Sequence, residues 1–137
     1  MKFLLLVLTT LTLTSVNAAD VTLPVRSVYD GDTIRSDLPA LPIPLNHVSI
    51  RLMGIDAPEL HGQCDTEKTN ALLAKAKLQE VLVNQPNVVV KDARWDKYGS
   101  RIDGRVFLND GTDVAGKMIE SGLVRPYTGG ARASWCK

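Results

Sequence analysis

Residues 48–59 read VSIRLMGIDAPE, and they predict a strand that ends in a rigid turn. In the first half of this segment, every second position is apolar: Val48, Ile50 and Leu52. This alternation is the pattern of a strand with two unlike faces, so Arg51 lies on the face opposite the apolar side chains. Pro58 disfavours helical geometry at the residue before it. We therefore expect the turn to present Asp56 and Glu59 in fixed directions.

Patterns on either side of this strand predict a small α+β domain. Further strands are predicted at residues 21–29, 33–35, 88–90 and 105–108, with a short one at 123–127, and helices at residues 66–83 and 113–121. Strands placed before and around the middle helix favour a barrel of about five strands, with helices packed at its side. Barrels of the oligonucleotide-binding (OB) type fit this count, but the pattern alone does not select them.

The first 18 residues predict an export signal. A lysine at position 2 precedes an almost wholly apolar stretch, and Val16-Asn17-Ala18 provides the small residues that a signal peptidase reads. The expected domains are therefore a signal peptide, 1–18, and one folded domain, 19–137. An uncleaved membrane anchor is the alternative. Cleavage would leave 15 basic and 15 acidic side chains, so attraction for a polyanion must come from a local cluster of charge.

The chain contains two cysteines, Cys64 and Cys136. An even number of cysteines in an exported chain favours a disulfide, and two free thiols are the alternative. A bridge would join the start of the middle helix to the C-terminus. The loop-entropy model assigns such a bridge roughly 4 kcal/mol.

Carboxylates follow two of the predicted strands. Asp30 and Asp32 flank a glycine between the first two strands, and Asp56 and Glu59 follow the strand that carries Arg51. Calcium prefers oxygen ligands of this kind, and the planar fork of an arginine suits a phosphate. Spacing alone leaves two other interpretations open, an ordinary surface turn and a rim of salt bridges.

Three blocks of sequence together resemble the staphylococcal nuclease (thermonuclease) family. They are Val28-Tyr29-Asp30-Gly31-Asp32-Thr33, Arg51-Leu52-Met53-Gly54-Ile55-Asp56-Ala57-Pro58-Glu59, and Asp96-Lys97-Tyr98-Gly99 with Arg101 close behind. The blocks occur in the family's order, and the resemblance extends from about Val25 to Tyr127. It implies a five-stranded Greek-key barrel of the OB type with two or three helices alongside.

The resemblance also implies roles for individual residues. Asp32 and Asp56 would bind a calcium ion through their carboxylates, and Ala57 would bind it through its backbone carbonyl. The catalytic residues would be Glu59 as general base, with Arg51 and Arg101 on the phosphate. Substrate contacts would be made by Lys97 and Tyr98 near a terminal phosphate, while Tyr127 is a candidate for base contact.

One departure from the family pattern affects the second arginine. In the family this arginine usually follows the Tyr-Gly pair directly, whereas Ser100 intervenes here. Reading back from the following strand places Arg101 in register, with Ser100 as an extra loop residue, and Arg105 is the fallback. Trp95 and Trp135 are expected to be packing residues.

The sequence therefore predicts an exported, monomeric, calcium-assisted nuclease that cuts DNA, RNA or both with little sequence specificity. The alternative is a non-catalytic nucleic-acid-binding module on the same barrel, because a fold does not fix a function. An unrelated hydrolase with a carboxylate pair, such as a glycosidase, would explain the acids but not Arg51 in register with them.

Overall fold

The computed structural model describes residues 19–136, so the predicted export signal lies outside the described residues. This part of the chain forms eight strands and two helices: β1 (Ala19–Pro24), β2 (Ser27–Asp30), β3 (Thr33–Asp37), β4 (His47–Leu52), β5 (Ile55–Asp56), α1 (Asp65–Val81), β6 (Asn87–Trp95), β7 (Arg101–Phe107), α2 (Val114–Glu120) and β8 (Arg125–Pro126). The predicted α+β class is confirmed, and both predicted helices are present.

Six strands form one sheet in the order β1-β6-β7-β4-β3-β2, while β5 and β8 form a separate pair. The large sheet has six strands where five were predicted, and it is not closed. The arrangement remains consistent with an OB-like fold. All described pairings in the large sheet are antiparallel except β4 with β7.

The extra strand arises from the segment predicted as one strand at residues 21–29. Its backbone changes partner at the centre, where Val25 donates a hydrogen bond to the carbonyl of Pro86 and Arg26 donates to that of Arg35. As a result β1 pairs with β6 and β2 pairs with β3, at opposite edges of the sheet. The predicted alternation was correct, but one period-2 pattern cannot show where a strand changes neighbours.

The core forms between the apolar face of the sheet and the two helices. Its largest fully buried apolar side chains are Leu23, Ile34, Ile50, Leu52, Ile55, Leu78, Val88, Val90, Val106, Val114 and Met118. At the hydrophobic coefficient of about 25 cal/mol per Å², each contributes roughly 1.5–3 kcal/mol relative to an exposed position. Trp95 is 56% exposed at the end of β6, so the prediction that it packs in the core is wrong.

A disulfide joins Cys64 to Cys136, as predicted, with their Cα atoms 6.0 Å apart. Cys64 is also the N-cap residue of α1, and its sulfur accepts a hydrogen bond from the backbone N–H of Glu67. The bridge therefore fixes the C-terminal segment to the start of the long helix. Within residues 19–136, neither helix has the length and apolar character that crossing a membrane requires.

Close packing of α1 explains the glycine in the Asp30-Gly31-Asp32 turn. A Cβ atom at Gly31 would lie 2.6 Å from the Cβ of Ala74 on α1 and 3.0 Å from that of Ala57. The turn can approach the helix only because the glycine has no side chain. This contact sets the position of Asp32 relative to the segment that follows β5.

We predict that Gly31→Ala destabilises the protein by about 1–3 kcal/mol, the usual cost of overpacking a filled interior. The measurement is the free energy of unfolding in denaturant. Gly116→Ala is the matched control, because its Cβ would meet the nearest atom at 3.4 Å, an ordinary contact within α2. Equal effects of the two substitutions would contradict the close-packing explanation.

Candidate functional site

Neighbouring strands bring the predicted charged residues to the polar face of the sheet. Arg51 on β4 pairs with Thr33 on β3 and with Asp103 on β7. Arg101 pairs with Ser49, two residues before Arg51 on the same strand. Because side chains two residues apart share a face, both predicted phosphate-binding arginines lie on the face opposite the core.

Asp32 is a buried carboxylate that links three parts of the site. Its Oδ2 accepts a hydrogen bond of 3.0 Å from the backbone N–H of Ala57 and lies 3.2 Å from Nη2 of Arg51. Its Oδ1 accepts from the hydroxyl of Thr33. Desolvation by burial raises the pKa of Asp32 to about 6, and Arg51 opposes part of this rise. Asp30 has a local role, since its Oδ1 accepts the N–H of Asp32 within the turn.

Asp56 is 1% exposed and is surrounded by cationic and N–H donors from the end of the chain. Its Oδ2 accepts hydrogen bonds from Nε and Nη2 of Arg125, at 3.0 and 2.8 Å, and from Nε1 of Trp135, at 3.2 Å. Its Oδ1 lies 3.5 Å from Nε of Arg132 and has no hydrogen-bond partner. One oxygen of Asp56 is therefore fully occupied, and the other is buried without a hydrogen bond.

Glu59 is half exposed, and its Oε1 lies 3.0 Å from Nη1 of Arg132. Its backbone is held by Glu67, a buried residue of α1. The Oε1 of Glu67 accepts the N–H of Glu59 at 3.2 Å, and its Oε2 accepts the N–H of Gln63 at 2.9 Å. Because a Cβ at Gly62 would lie about 2.5 Å from the Glu67 side chain, the loop closes tightly around this carboxylate.

The role of Glu67 was missed in the sequence because its helical stripe was read from apolar residues alone. Its spacing gave one usable signal. Glu67 lies four residues before Ala71 and seven before Ala74, both buried, and so belongs to the buried face of α1. A buried acid at that place needs donors, and the preceding loop provides them.

Arg51 is held rigidly with its guanidinium directed toward the carboxylates. Its Nη1 donates to the carbonyl of Leu52 and its Nη2 to that of Ile55, at 2.5 and 3.0 Å. The side chain is only 11% exposed. A guanidinium fixed in this way needs little reorganisation to meet a developing negative charge.

Ser100 accommodates the extra loop residue by adopting a left-handed conformation, with φ of 50°. Its carbonyl accepts the N–H of Ser49, so the chain enters β7 in register at Arg101. The Arg101 Nη2 lies 2.6 Å from Asp96, and its Nε lies 3.6 Å from Asp103. These two aspartates were not among the predicted site residues.

Arg105, the fallback for the second arginine, lies farther along the same face. It is ion-paired with Asp92 at 2.7 Å, and its side chain is 55% exposed. The cavity that contains Asp32 and Glu59 is lined by Arg101 but not by Arg105. The placement of these side chains therefore favours Arg101.

Five of the predicted site residues line two adjoining cavities, whereas Asp56 and Ala57 line neither. The smaller, of about 340 Å³, is lined by Asp32, Arg51, Glu59, Arg101 and Arg132, among others. The larger, of about 600 Å³, shares the three arginines and extends past Arg94 and Arg105 to Tyr127. Lys97 and Tyr98 lie in the exposed β6–β7 turn, and neither lines these cavities.

The predicted calcium ligands fit a hard cation in their chemistry. Asp32 and Asp56 are both buried, and Asp56 Oδ1 lacks a hydrogen bond. Ala57 belongs to the same turn and is tied to Asp32 through its N–H. Anionic and carbonyl oxygens are the ligands calcium prefers, and a cation would compensate the buried charge. The one cluster of at least three close acidic, cysteine or histidine ligands in residues 19–136 is Cys64, Glu67 and Cys136, whose cysteines form the disulfide.

The OB-like sheet carries two arginines on its polar face, with buried Asp32 and Asp56 in a neighbouring turn and strand pair, and the family match that follows makes this a nuclease-type or nucleic-acid-binding domain. Residues 49–134 match the family model described as staphylococcal nuclease homologue. The chain therefore belongs to the staphylococcal nuclease homologue family. No individual curated protein matches it significantly.

We predict that Asp32 makes the metal-free protein less stable as the pH rises. Folding raises its pKa from 3.8 to about 6, so the folded state binds the proton more tightly between these values. Unfolding free energy therefore falls through this interval, by on the order of 3 kcal/mol at about 1.36 kcal/mol per pKa unit. Denaturant titrations from pH 4 to pH 7 in chelator should show this fall in the parent and not in Asp32→Asn. Parallel pH profiles for the two proteins would contradict the assignment.

Proposed function

We propose that this protein is an exported, calcium-assisted nuclease that hydrolyses phosphodiester bonds in DNA, RNA or both. The observation that carries the proposal is the cavity in which Glu59 and the buried Asp32 are brought together with Arg51 and Arg101. A carboxylate beside two arginines provides a base and an anion-binding surface at one place. Phosphodiester hydrolysis requires both.

Glu59 is the proposed general base. It is half exposed, so water can reach it, and its backbone is fixed by Glu67. It would take a proton from a water molecule as that water attacks phosphorus in line with the departing oxygen. A positioned base of this kind contributes about 10²–10⁴-fold to the rate.

Arg51 and Arg101 are the proposed phosphate ligands. Arg51 donates hydrogen bonds to two backbone carbonyls, and Arg101 lies within ion-pair distance of two aspartates. The two arginines would neutralise the charge that builds on the non-bridging oxygens in the transition state. Preorganised donors act strongly there, because they need not reorient during the reaction.

Asp32, Asp56 and the carbonyl of Ala57 are the proposed ligands of calcium. When bound, the ion would act as a Lewis acid that withdraws charge from the phosphate oxygens. The burial of both carboxylates and the missing hydrogen bond at Asp56 Oδ1 support a cation at this place.

The larger cavity is the proposed groove for the nucleotides beside the cleaved bond. It shares Arg51, Arg101 and Arg132 with the smaller cavity, and it extends to Tyr127. Contacts between arginine and phosphate position a nucleic acid but do not read its sequence, which supports low sequence specificity. Lys97 and Tyr98 remain proposed contacts for a terminal phosphate beyond this groove.

Export is proposed on two observations, the pattern of residues 1–18 and the Cys64–Cys136 disulfide. Disulfides persist mainly in oxidising compartments outside the cytosol. The proposed mature protein comprises residues 19–137 and acts as a monomer.

We predict that the purified protein degrades denatured DNA in calcium and that a chelator suppresses the reaction. Glu59→Gln should lower kcat by about 10²–10⁴-fold, the range expected for loss of a general base. Single-stranded DNA, duplex DNA and RNA should be assayed in parallel. Glu80→Gln is the control, since Glu80 is an exposed residue of α1 paired with Lys77.

The same assay separates a nuclease from a non-catalytic binding module. A binding module would retain affinity for single-stranded DNA, cut nothing and respond little to Glu59→Gln. If the parent protein binds DNA without cutting it under any calcium concentration, the proposed activity is wrong.

A second prediction distinguishes the two candidate arginines. Arg101→Ala should lower kcat by about 10²–10³-fold, the cost of removing one transition-state donor. Arg105→Ala should have a much smaller effect on kcat and act mainly on KM, because Arg105 lies in the groove and not at the carboxylates. The reverse ranking would assign catalysis to Arg105.

A further inference from the structure

The segment Arg125–Cys136, here called the C-terminal arm, contacts two carboxylates of the proposed site, Asp56 and Glu59. It begins in β8, where Arg125 pairs with Asp56 of β5. It then turns through Gly129 and Gly130, whose φ angles of 113° and 85° favour glycine strongly. This turn returns the chain toward β5, and the arm ends at the disulfide with Cys64.

Arg132 lies between the two carboxylates that the arm reaches. Its Nη1 is 3.0 Å from Glu59 Oε1, and its Nε is 3.5 Å from Asp56 Oδ1. Burial lowers the pKa of Arg132, but Asp56, Tyr127 and Glu59 more than offset this effect, so its pKa lies above the ordinary value. The Tyr127 ring centre lies 5.7 Å from the guanidinium carbon, and the Tyr127 hydroxyl donates to the Gly130 carbonyl.

The rest of the arm holds this arginine in place. Arg125 donates to Asp56 and to the carbonyl of Ala133, and it stacks on Trp135 with its guanidinium carbon 4.0 Å from the ring centre. Trp135 in turn donates its Nε1–H to Asp56. At the other end of the disulfide, the Sγ of Cys64 accepts the N–H of Glu67, whose carboxylate accepts the N–H of Glu59. Both the backbone and the side chain of Glu59 are thus held through groups that the disulfide joins.

We propose that Arg132 is a positioning residue for Glu59, and that the Cys64–Cys136 disulfide maintains catalysis by holding the arm that carries it. The inference rests on the proposed nuclease function. Glu59 is half exposed, so without a partner its carboxylate would sample several rotamers. The ion pair with Arg132 selects one orientation of this carboxylate.

The first test is the kinetics of Arg132→Ala and Arg132→Lys. We expect Arg132→Ala to lower kcat by about 10–100-fold, since displacement of a reacting group by about 1 Å can cost 10²-fold, with a smaller change in KM. Arg132→Lys should recover part of kcat, because a lysine restores the charge without the planar fork. Lys117→Ala is the control, since it removes a cation from an exposed pair with Glu120 on α2.

The second test asks whether Arg132 acts through Glu59. In a Glu59→Gln background, Arg132→Ala should have little further effect on kcat, because no base remains to be oriented. Independent action on the phosphate would instead make the two effects multiply. Multiplying effects, or full kcat in Arg132→Ala, would overturn the proposal.

The third test removes the disulfide with Cys64→Ser/Cys136→Ser. Serine is a good N-cap residue, so α1 retains a side-chain acceptor at its first turn. We expect kcat to fall in the same direction as in Arg132→Ala, and the triple variant to be no slower than Arg132→Ala alone. A disulfide variant with parental kcat would show that the bridge does not hold the site.

A measurement without substrate keeps the test independent of folding and of activity. In a Trp95→Phe background, emission reports Trp135 alone, since the chain has two tryptophans. Loss of the disulfide should increase quenching of this emission by acrylamide while circular dichroism stays at the parental level. Unchanged quenching would count against an arm held by the bridge. If the parent cuts no nucleic acid, the proposed function fails; if it cuts but Arg132→Ala is equally fast, only this inference fails.

Discussion

A buried carboxylate that must be compensated organises this end of the molecule. Asp56 is 1% exposed, and an isolated charge at such a depth is strongly unfavourable. Three side chains from the C-terminal arm surround it: Arg125, Arg132 and Trp135. The pairing of β5 with β8 places Arg125 opposite Asp56. The last twelve described residues therefore follow a path that brings three donor side chains to one aspartate. One oxygen of this aspartate remains without a hydrogen bond.

The distribution of charge agrees with a function near phosphate in a domain without a global field. The chain carries a formal net charge of only +1, yet three arginines line both cavities of the site. Each lies within ion-pair distance of a carboxylate, and charges near a protein surface interact more strongly than charges in bulk water. Local placement can thus replace the excess of basic residues that many nucleic-acid-binding proteins show.

The sequence predicted the elements of the fold better than their connections. Period-2 alternation identified β4 and placed Arg51 and Ile50 on opposite faces of it, because alternation is a local property of a strand. It could not show that residues 19–30 divide between two sheet edges, since that depends on Pro86 and Arg35 as partners. Trp95 was predicted to be a packing residue but is exposed. Its hydrophobicity does not indicate that β6 extends beyond the core of the domain.

The candidate site shows the same division between motif and context. Asp32, Arg51 and Glu59 were identified from two short blocks, and the structure places all three around one cavity. Glu67, Asp96 and Asp103 were not identified, because they act by holding other residues in place. Arg132 lies outside these blocks, and 73 residues separate it from Glu59. Contacts over such distances are set by the disulfide and by β8, and no local spacing records them.

The disulfide also has a consequence for survival among proteases. It joins positions 72 residues apart, and the exposed β6–β7 turn with Lys97 lies within the ring that it closes. A single cut in that turn would not release a fragment, because the covalent ring and the β6–β7 ladder would still connect both ends. One bond thus makes the loss of a single peptide link in this turn tolerable.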